Sequence, residues 1–254
     1  KNLGSDFTAG APASYAVRNN NKRIACLGPR VRRMRVLKKA GGRTTRLVPT
    51  GITPAALYAN SVTGLPDTQL HKLRRLARQG GHLRTAGRNL TLDLLMAGPK
   101  HDPAYKANRD PILAWHKALW DERIPRRWQV VAFTYAMKCP TTRVWSHVRG
   151  PSGAVVATLR RIGWTPRSTI RWDTHRGTIN LLEVCPVSLA KWVDEATTAW
   201  LVRDLAKRTS GLDFLADGCC VEALHALLKP KGDWTAKHVG VARALVANGI
   251  WTQD

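Results

Sequence analysis

The residues of this sequence with the types for chemistry are scattered carboxylates, solitary histidines and a dense run of cations, and only the run has a pattern. Asp194 and Glu195 are neighbours, so on a helix they point about 100° apart and cannot act as a pair. Asp102 and Asp110 flank a loop, where each reads as a helix cap. His116, His147, His175, His225 and His238 each stand alone and read as surface or satisfied core groups. No G-x-x-x-x-G-K-[ST], H-E-x-x-H or G-x-S-x-G motif occurs. Two-metal phosphoryl transfer needs clustered carboxylates, and the basic region has none. Five cysteines (Cys26, Cys139, Cys185, Cys219, Cys220) show no C-x-x-C spacing, and the histidines do not approach zinc-finger spacing with them. We therefore expect no catalytic residue and no metal site, and free, mostly buried thiols in a reducing compartment.

The run of cations is Lys22 to Arg46, ten cations and no acid: Lys22, Arg23, Arg30, Arg32, Arg33, Arg35, Lys38, Lys39, Arg43 and Arg46. Gly28-Pro29 suits the first turn of a helix and Gly41-Gly42 its end. Between them Val31, Met34 and Leu37 fall on one arc, and Arg32, Arg33, Arg35 and Lys39 on the opposite one. An ordinary exposed helix interleaves opposite charges at i,i+4, which this one lacks. The chemistry such a face offers is phosphate contact.

Composition points the same way. The formal charge is +24, which repels itself and is most simply offset by a polyanion. Residues 1–90 hold 18 cations and two acids, whereas residues 91–254 hold 23 and 15. All ten tryptophans lie between Trp115 and Trp251, and a seam at 98–103 fits both shifts. Residues 1–98 are thus expected to form a basic region, 99–109 a linker and 110–254 a Trp-rich helical domain. A hydrophobic content of 44% is globular, and no apolar run reaches the ~18 residues of a membrane span. The opening Lys1, in mid-pattern, reads as a cut from something longer.

The elements that must position these groups are mostly helices. Periodicity and caps predict helices over about 14–27, 29–40, 54–62 and from Asp67 to Gly80-Gly81. In the last, Leu70, Leu73, Leu76 and Ala77 form the inner stripe, with Lys72, Arg74, Arg75 and Arg78 on the other sides. A basic loop holding Arg84 and Arg88 runs into an apolar helix, 90–97. Further helices are expected from Asp110-Pro111 to Glu122, over 128–137 (helix preferred to strand), 152–161, 188–208, 219–228 and 235–248. Segments 169–172 and 178–184 flank a turn at 173–177 and predict a β-hairpin within 168–185. The fold class is mainly α with one small β-hairpin.

Several blocks carry a resemblance. Lys1-Asn2-Leu3-Gly4 followed by Asp6-Phe7 resembles the K-[YF]-L-G-x-x-[FI] segment that begins the primer grip of non-LTR (LINE-like) retroelement reverse transcriptases. The basic helices, Pro54-Ala55-Ala56-Leu57-Tyr58-Ala59 and Leu70-His71-Lys72-Leu73-Arg74-Arg75 look like the thumb and its extension. Asp102-Pro103 through Pro111-Ile112-Leu113-Ala114-Trp115, and Leu159-Arg160-Arg161-Ile162-Gly163-Trp164, are similar to further blocks of such polyproteins. Asn2 and Ser5 depart from the pattern, the first standing where the family prefers an aromatic residue. The resemblance implies a thumb that closes on a primer–template duplex, with Leu3 and Gly4 helping to position a primer end. It implies a palm and fingers upstream, and a divalent metal only in that absent palm, since no Y-x-D-D box occurs here.

The expectation is an RNA- or DNA-binding piece of an RNA-directed DNA polymerase, gripping duplex or single strand through phosphates. It would act inside the cell, in nucleus or cytoplasm, as a ribonucleoprotein. Alternatives are a stand-alone RNA-binding or ribonucleoprotein-assembly protein, an interaction module docking through its Trp-rich half, and a decayed copy of an element.

Overall fold

Helices carry this chain, and their ends follow the residues that punctuate the sequence. The computed structural model describes residues 14–81, 87–122, 124–209 and 212–247, with 14–19, 214 and 221 described for their backbone. Ser14–Ala25 forms α1 and Gly28–Lys39 forms α2, with Pro29 in the first turn, where its missing N–H leaves no bond unmade. A π-helical turn, Val48–Ile52, leads into the one-turn helices α3 (Thr53–Ala56) and α4 (Asn60–Thr63). Next come α5 (Asp67–Gly81) and α6 (Leu90–Ala97). Asn89 caps α6, its Oδ1 accepting from the N–H groups of Thr91 at 2.9 Å and Leu92 at 3.3 Å.

The longest helices are α7 (Pro103–Trp120) and α10 (Pro186–Arg208); α8 (Arg126–Met137) and α9 (Pro151–Ile162) lie between them. Also between α9 and α10 is an antiparallel sheet of β1 (Thr165–Pro166), β2 (Arg171–Thr174) and β3 (Gly177–Asn180), in that order, with Trp172 opposite Ile179. Two short helices, α11 (Val221–Leu227) and α12 (Ala236–Val246), follow. The protein is mainly α with one small sheet.

Four local expectations are corrected. The helix expected over 54–62 is broken at Leu57–Ala59, where Ala59 takes a left-handed φ of 62°. The hairpin turn is only His175–Arg176, because β2 runs on to Thr174, and a third strand joins through Thr165–Pro166. The cysteines are free, but Cys26, Cys185, Cys219 and Cys220 are exposed rather than buried. Residues 99–109 are not a linker: α7 begins at Pro103, and Ala104, Tyr105, Ala107 and Asn108 are buried.

The start of α7 explains the misplaced boundary. Asp110-Pro111 reads as a cap and first turn, yet Pro111 lies inside the helix. Proline at 111 has no N–H to give the carbonyl four residues earlier, which is that of Ala107. The Asn60 amide fills the vacancy, donating Nδ2 to the Ala107 oxygen at 2.9 Å from a site 3% exposed. We predict that Asn60→Leu, which leaves this oxygen orphaned, lowers the unfolding free energy by about 1–3 kcal/mol. Urea denaturation would read this out, and an unchanged midpoint would mean that the oxygen has another donor.

The chain divides into two compact units, each built from three segments: Lys1–Cys26, Pro54–Lys72 and Ala104–Trp200 in one, and Leu27–Thr53, Leu73–Pro103 and Leu201–Asp254 in the other. The first unit has an aromatic-rich core in which Trp115, Phe133, Trp164 and Trp172 pack with Val155, Leu159, Leu189 and Val193. The Trp115 and Phe133 rings lie 5.2 Å apart, and Phe133 stacks on Trp172 at 6.4 Å. The second unit packs Met96 of α6 against Leu228, Val239, Ala242 and Ala247. There the Asn89 N–H donates to the Ala247 carbonyl at 2.7 Å.

Candidate nucleic-acid interface

The second unit contains α2. Its inner residues Leu27, Val31 and Met34 are buried, and Gly80 of α5 admits the Met34 side chain: a Cβ there would come within 3.0 Å of the Met34 methyl. One side chain from the last turn of α2 and one from just beyond its end finish the carbonyls of α5. Thr44 Oγ1 donates to the Gly80 oxygen at 3.0 Å, and Lys38 Nζ donates to that of Gly81. Leu37, assigned to the inner arc, is instead 47% exposed. It folds back over Gly42, where a Cβ would meet the Leu37 Cγ at 2.7 Å, so it covers the helix end rather than entering the core.

The outer face carries Arg30, Arg32, Arg33, Arg35 and Lys39, all exposed, and the following turn adds exposed Arg43 and Arg46. Among the described residues none of these seven has a carboxylate partner. Lys38 is half-buried and committed to Gly81.

The cations of α5 and the loop after it divide by role. Arg75 is exposed. Arg74, placed on the outer side by the sequence, is buried: Nε lies 3.0 Å from each carboxylate oxygen of Asp102 and Nη2 lies 2.8 Å from Oδ2, with Thr91 Oγ1 at 3.3 Å from Nη1. It is committed to the interior of the fold. Arg78 is half-buried and donates to the Arg88 carbonyl at 2.8 Å; burial holds its guanidinium below the usual arginine range. Arg88 faces Asp93 at 4.0 Å. Leu3, Gly4 and Arg84 lie outside the described residues.

The other unit carries Lys22, Arg23 and Lys72. Lys22 and Lys72 are exposed, whereas Arg23 donates to the Tyr58 carbonyl at 3.1 Å and lies over that tyrosine's ring. Several of the groups weighed for catalysis are absorbed into structure. Asp194 pairs with Arg109, while Glu195 binds Arg176 and His175, the latter at 3.1 Å. Burial pushes Glu195 up, but the hydrogen bonds from His175 and Arg176 outweigh it and hold the carboxyl below its usual range. The Trp164 indole N–H donates to His175 Nδ1 at 3.3 Å, which leaves Nε2 as the protonated nitrogen facing Glu195. His116 is a core histidine between the carbonyls of Leu181 and Val184. Asp110 is no cap but lies inside α7 beside Lys106, with its carboxyl pushed up by burial. Among the described residues no group of three His, Cys, Asp or Glu is placed to hold a metal ion, and no helix is long and apolar enough to cross a membrane.

A second acid-free stretch lies within residues 91–254, where the overall charge count hides it. From Arg123 to Trp172 there are ten cations and no aspartate or glutamate, a feature diluted by the acids on either side. Two of these arginines, Arg160 and Arg161, are deeply engaged by the fold. Arg161 is buried, with Nε 2.7 Å from Asp67, Nη1 3.1 Å from Asn108 Oδ1, Nη2 on the Leu65 carbonyl, and the guanidinium 4.1 Å above the Trp145 ring. Arg160 donates to the carbonyls of Met137 and Cys139, both at 2.9 Å. Comparison of the chain with protein-family models, curated proteins and solved structures finds no match.

Proposed function

We propose that this chain binds nucleic acid through its phosphates, with the outer face of α2 as the principal contact. One observation carries the reading: seven exposed cations on α2 and its following turn have no carboxylate partner among the described residues. Held by Val31 and Met34 on its inner side, the helix presents those guanidinium groups on a fixed support, the arrangement that phosphate gripping favours. Arg75, Lys22 and Lys72 are secondary candidates, and Arg74 is excluded by its burial. The resemblance of the N-terminal blocks supports a more specific form of the proposal. In it the chain is the primer-grip, thumb and extension part of a non-LTR retroelement RNA-directed DNA polymerase, working beside a palm carried elsewhere in the polyprotein.

Replacing Arg32, Arg33 and Arg35 together by alanine is expected to weaken binding to all sequences alike. If each arginine neutralises one phosphate, the log–log salt dependence becomes shallower by about 2.7 on duplex or about 2.1 on a single strand. All three side chains are exposed, so thermal stability should not change. Fluorescence anisotropy across a salt series measures both quantities. Unaltered affinity at low salt would remove α2 from the interface.

A further inference from the structure

In the first unit α8 has two unlike faces. Its inner side is fixed: Phe133 is fully buried, Gln129 donates to the Ala118 carbonyl at 3.2 Å and to that of Ile124 at 3.0 Å, and Arg160 ties down the carbonyls at its far end. Its outer side is apolar and open, with Trp128 58%, Val131 60% and Tyr135 66% exposed. These three positions, i, i+3 and i+7, lie along one stripe. Arg126 and Arg127 begin the helix and Lys138 follows it, all exposed; the Arg127 guanidinium lies 5.5 Å from the centre of the Trp128 ring.

We infer that this face is a stacking platform for single-stranded nucleic acid. An apolar stripe alone would suit another protein, but here three exposed cations, Arg126, Arg127 and Lys138, border it. The partner must therefore combine flat apolar surfaces with repeated negative charge, which an unpaired RNA or DNA strand does and an ordinary protein surface does not. Indole and phenol rings accept bases of any identity, and flanking arginines follow the backbone. Trp128 and Tyr135 stand about 10 Å apart along the axis, and Val131 between them gives an intervening base an apolar seat. A paired duplex hides its base faces and has no use for such rings. This site thus differs in kind from the phosphate-gripping face of α2.

The test uses fluorescein-labelled oligouridylate and an RNA duplex of equal length, bound to the full chain. The double variant Trp128→Ala, Tyr135→Ala is expected to lose at least about thirtyfold in affinity for the single strand, from about fivefold or more per ring. Its affinity for the duplex, and its melting temperature, should not change. A second variant, Trp128→Leu with Tyr135→Leu, keeps the face apolar and removes only the rings; it should also lose single-strand affinity. Unchanged single-strand binding in both variants overturns the inference, as does an equal loss on duplex. Self-association that survives the leucine pair and vanishes with the alanine pair would assign the face to a second copy of this chain instead. The Arg32, Arg33, Arg35 triple variant is the separate arm: its failure bears on α2 and leaves α8 standing.

Discussion

Asp102→Ala is expected to lower the free energy of unfolding by about 3–5 kcal/mol, the range seen when one partner of a buried ion pair is removed. The Asp102 side chain is fully buried and that of Arg74 is 5% exposed, so the orphaned guanidinium would have no access to water. What remains for it is the Thr91 hydroxyl at 3.3 Å. Domains are stable by only about 5–15 kcal/mol, so a loss of this size takes a large part of the total. The pair is not a strong net stabiliser in itself, since two desolvated charges repay little more than their hydration. Accordingly Arg74→Met in the same chain should regain most of what Asp102→Ala loses. Urea unfolding followed by tryptophan fluorescence measures both. A single-variant loss below about 1 kcal/mol would show the guanidinium finding solvent.

Arg161→Ala should destabilise nearly as much, by about 3–5 kcal/mol, for a different reason. The Arg161 side chain is 2% exposed but that of Asp67 is 58% exposed, so the acid is left in water rather than orphaned. The cost lies with the acceptors. The Leu65 carbonyl and Asn108 Oδ1 lose their donor, and a gap opens beside Trp145 and Trp200, whose rings flank the guanidinium. Burial lowers the pKa of Arg161 to about 10. Because that lies below its value in the unfolded chain, the charge works against folding at every pH below about 10, and the penalty fades as pH rises beyond it. The donors and the flat packing, not the charge, are what the side chain contributes. Arg161→Met, which restores volume without donors, is therefore expected to recover roughly half of the alanine loss, read by the same unfolding measurement. Full recovery would mean that the hydrogen bonds matter little.

Periodicity made most helices and the class of the fold legible, because apolar spacing and caps are local. The readable part of the basic helix was its Val31 and Met34 side and its cationic face. Leu37 has the same spacing as those two, and nothing before the fold is built says that it bends back onto Gly42. Arg74 was indistinguishable from Arg75 for a similar reason. Its partner lies 28 positions away, in a stretch rich in proline and glycine that looks like a connection. The outward face of α8 was hidden twice: tryptophan and valine are read as core, and the acid-free stretch around them was averaged with the 15 acids of residues 91–254. The division into units was unreadable from composition, since each unit draws on three separate lengths of chain. Residues 110–254 taken alone would carry part of each.

The amide that Asn60 lends to α7 has a bearing on the order of assembly. Helices commonly form early because their bonds join near neighbours, but this one has a missing rung supplied from 47 positions upstream. Until that loop closes, the segment around Pro111 is two half-helices sharing a hinge, and its alignment comes only with the entropy of closure already spent. Helix α7 is in that sense a product of the tertiary fold, not one of its starting blocks.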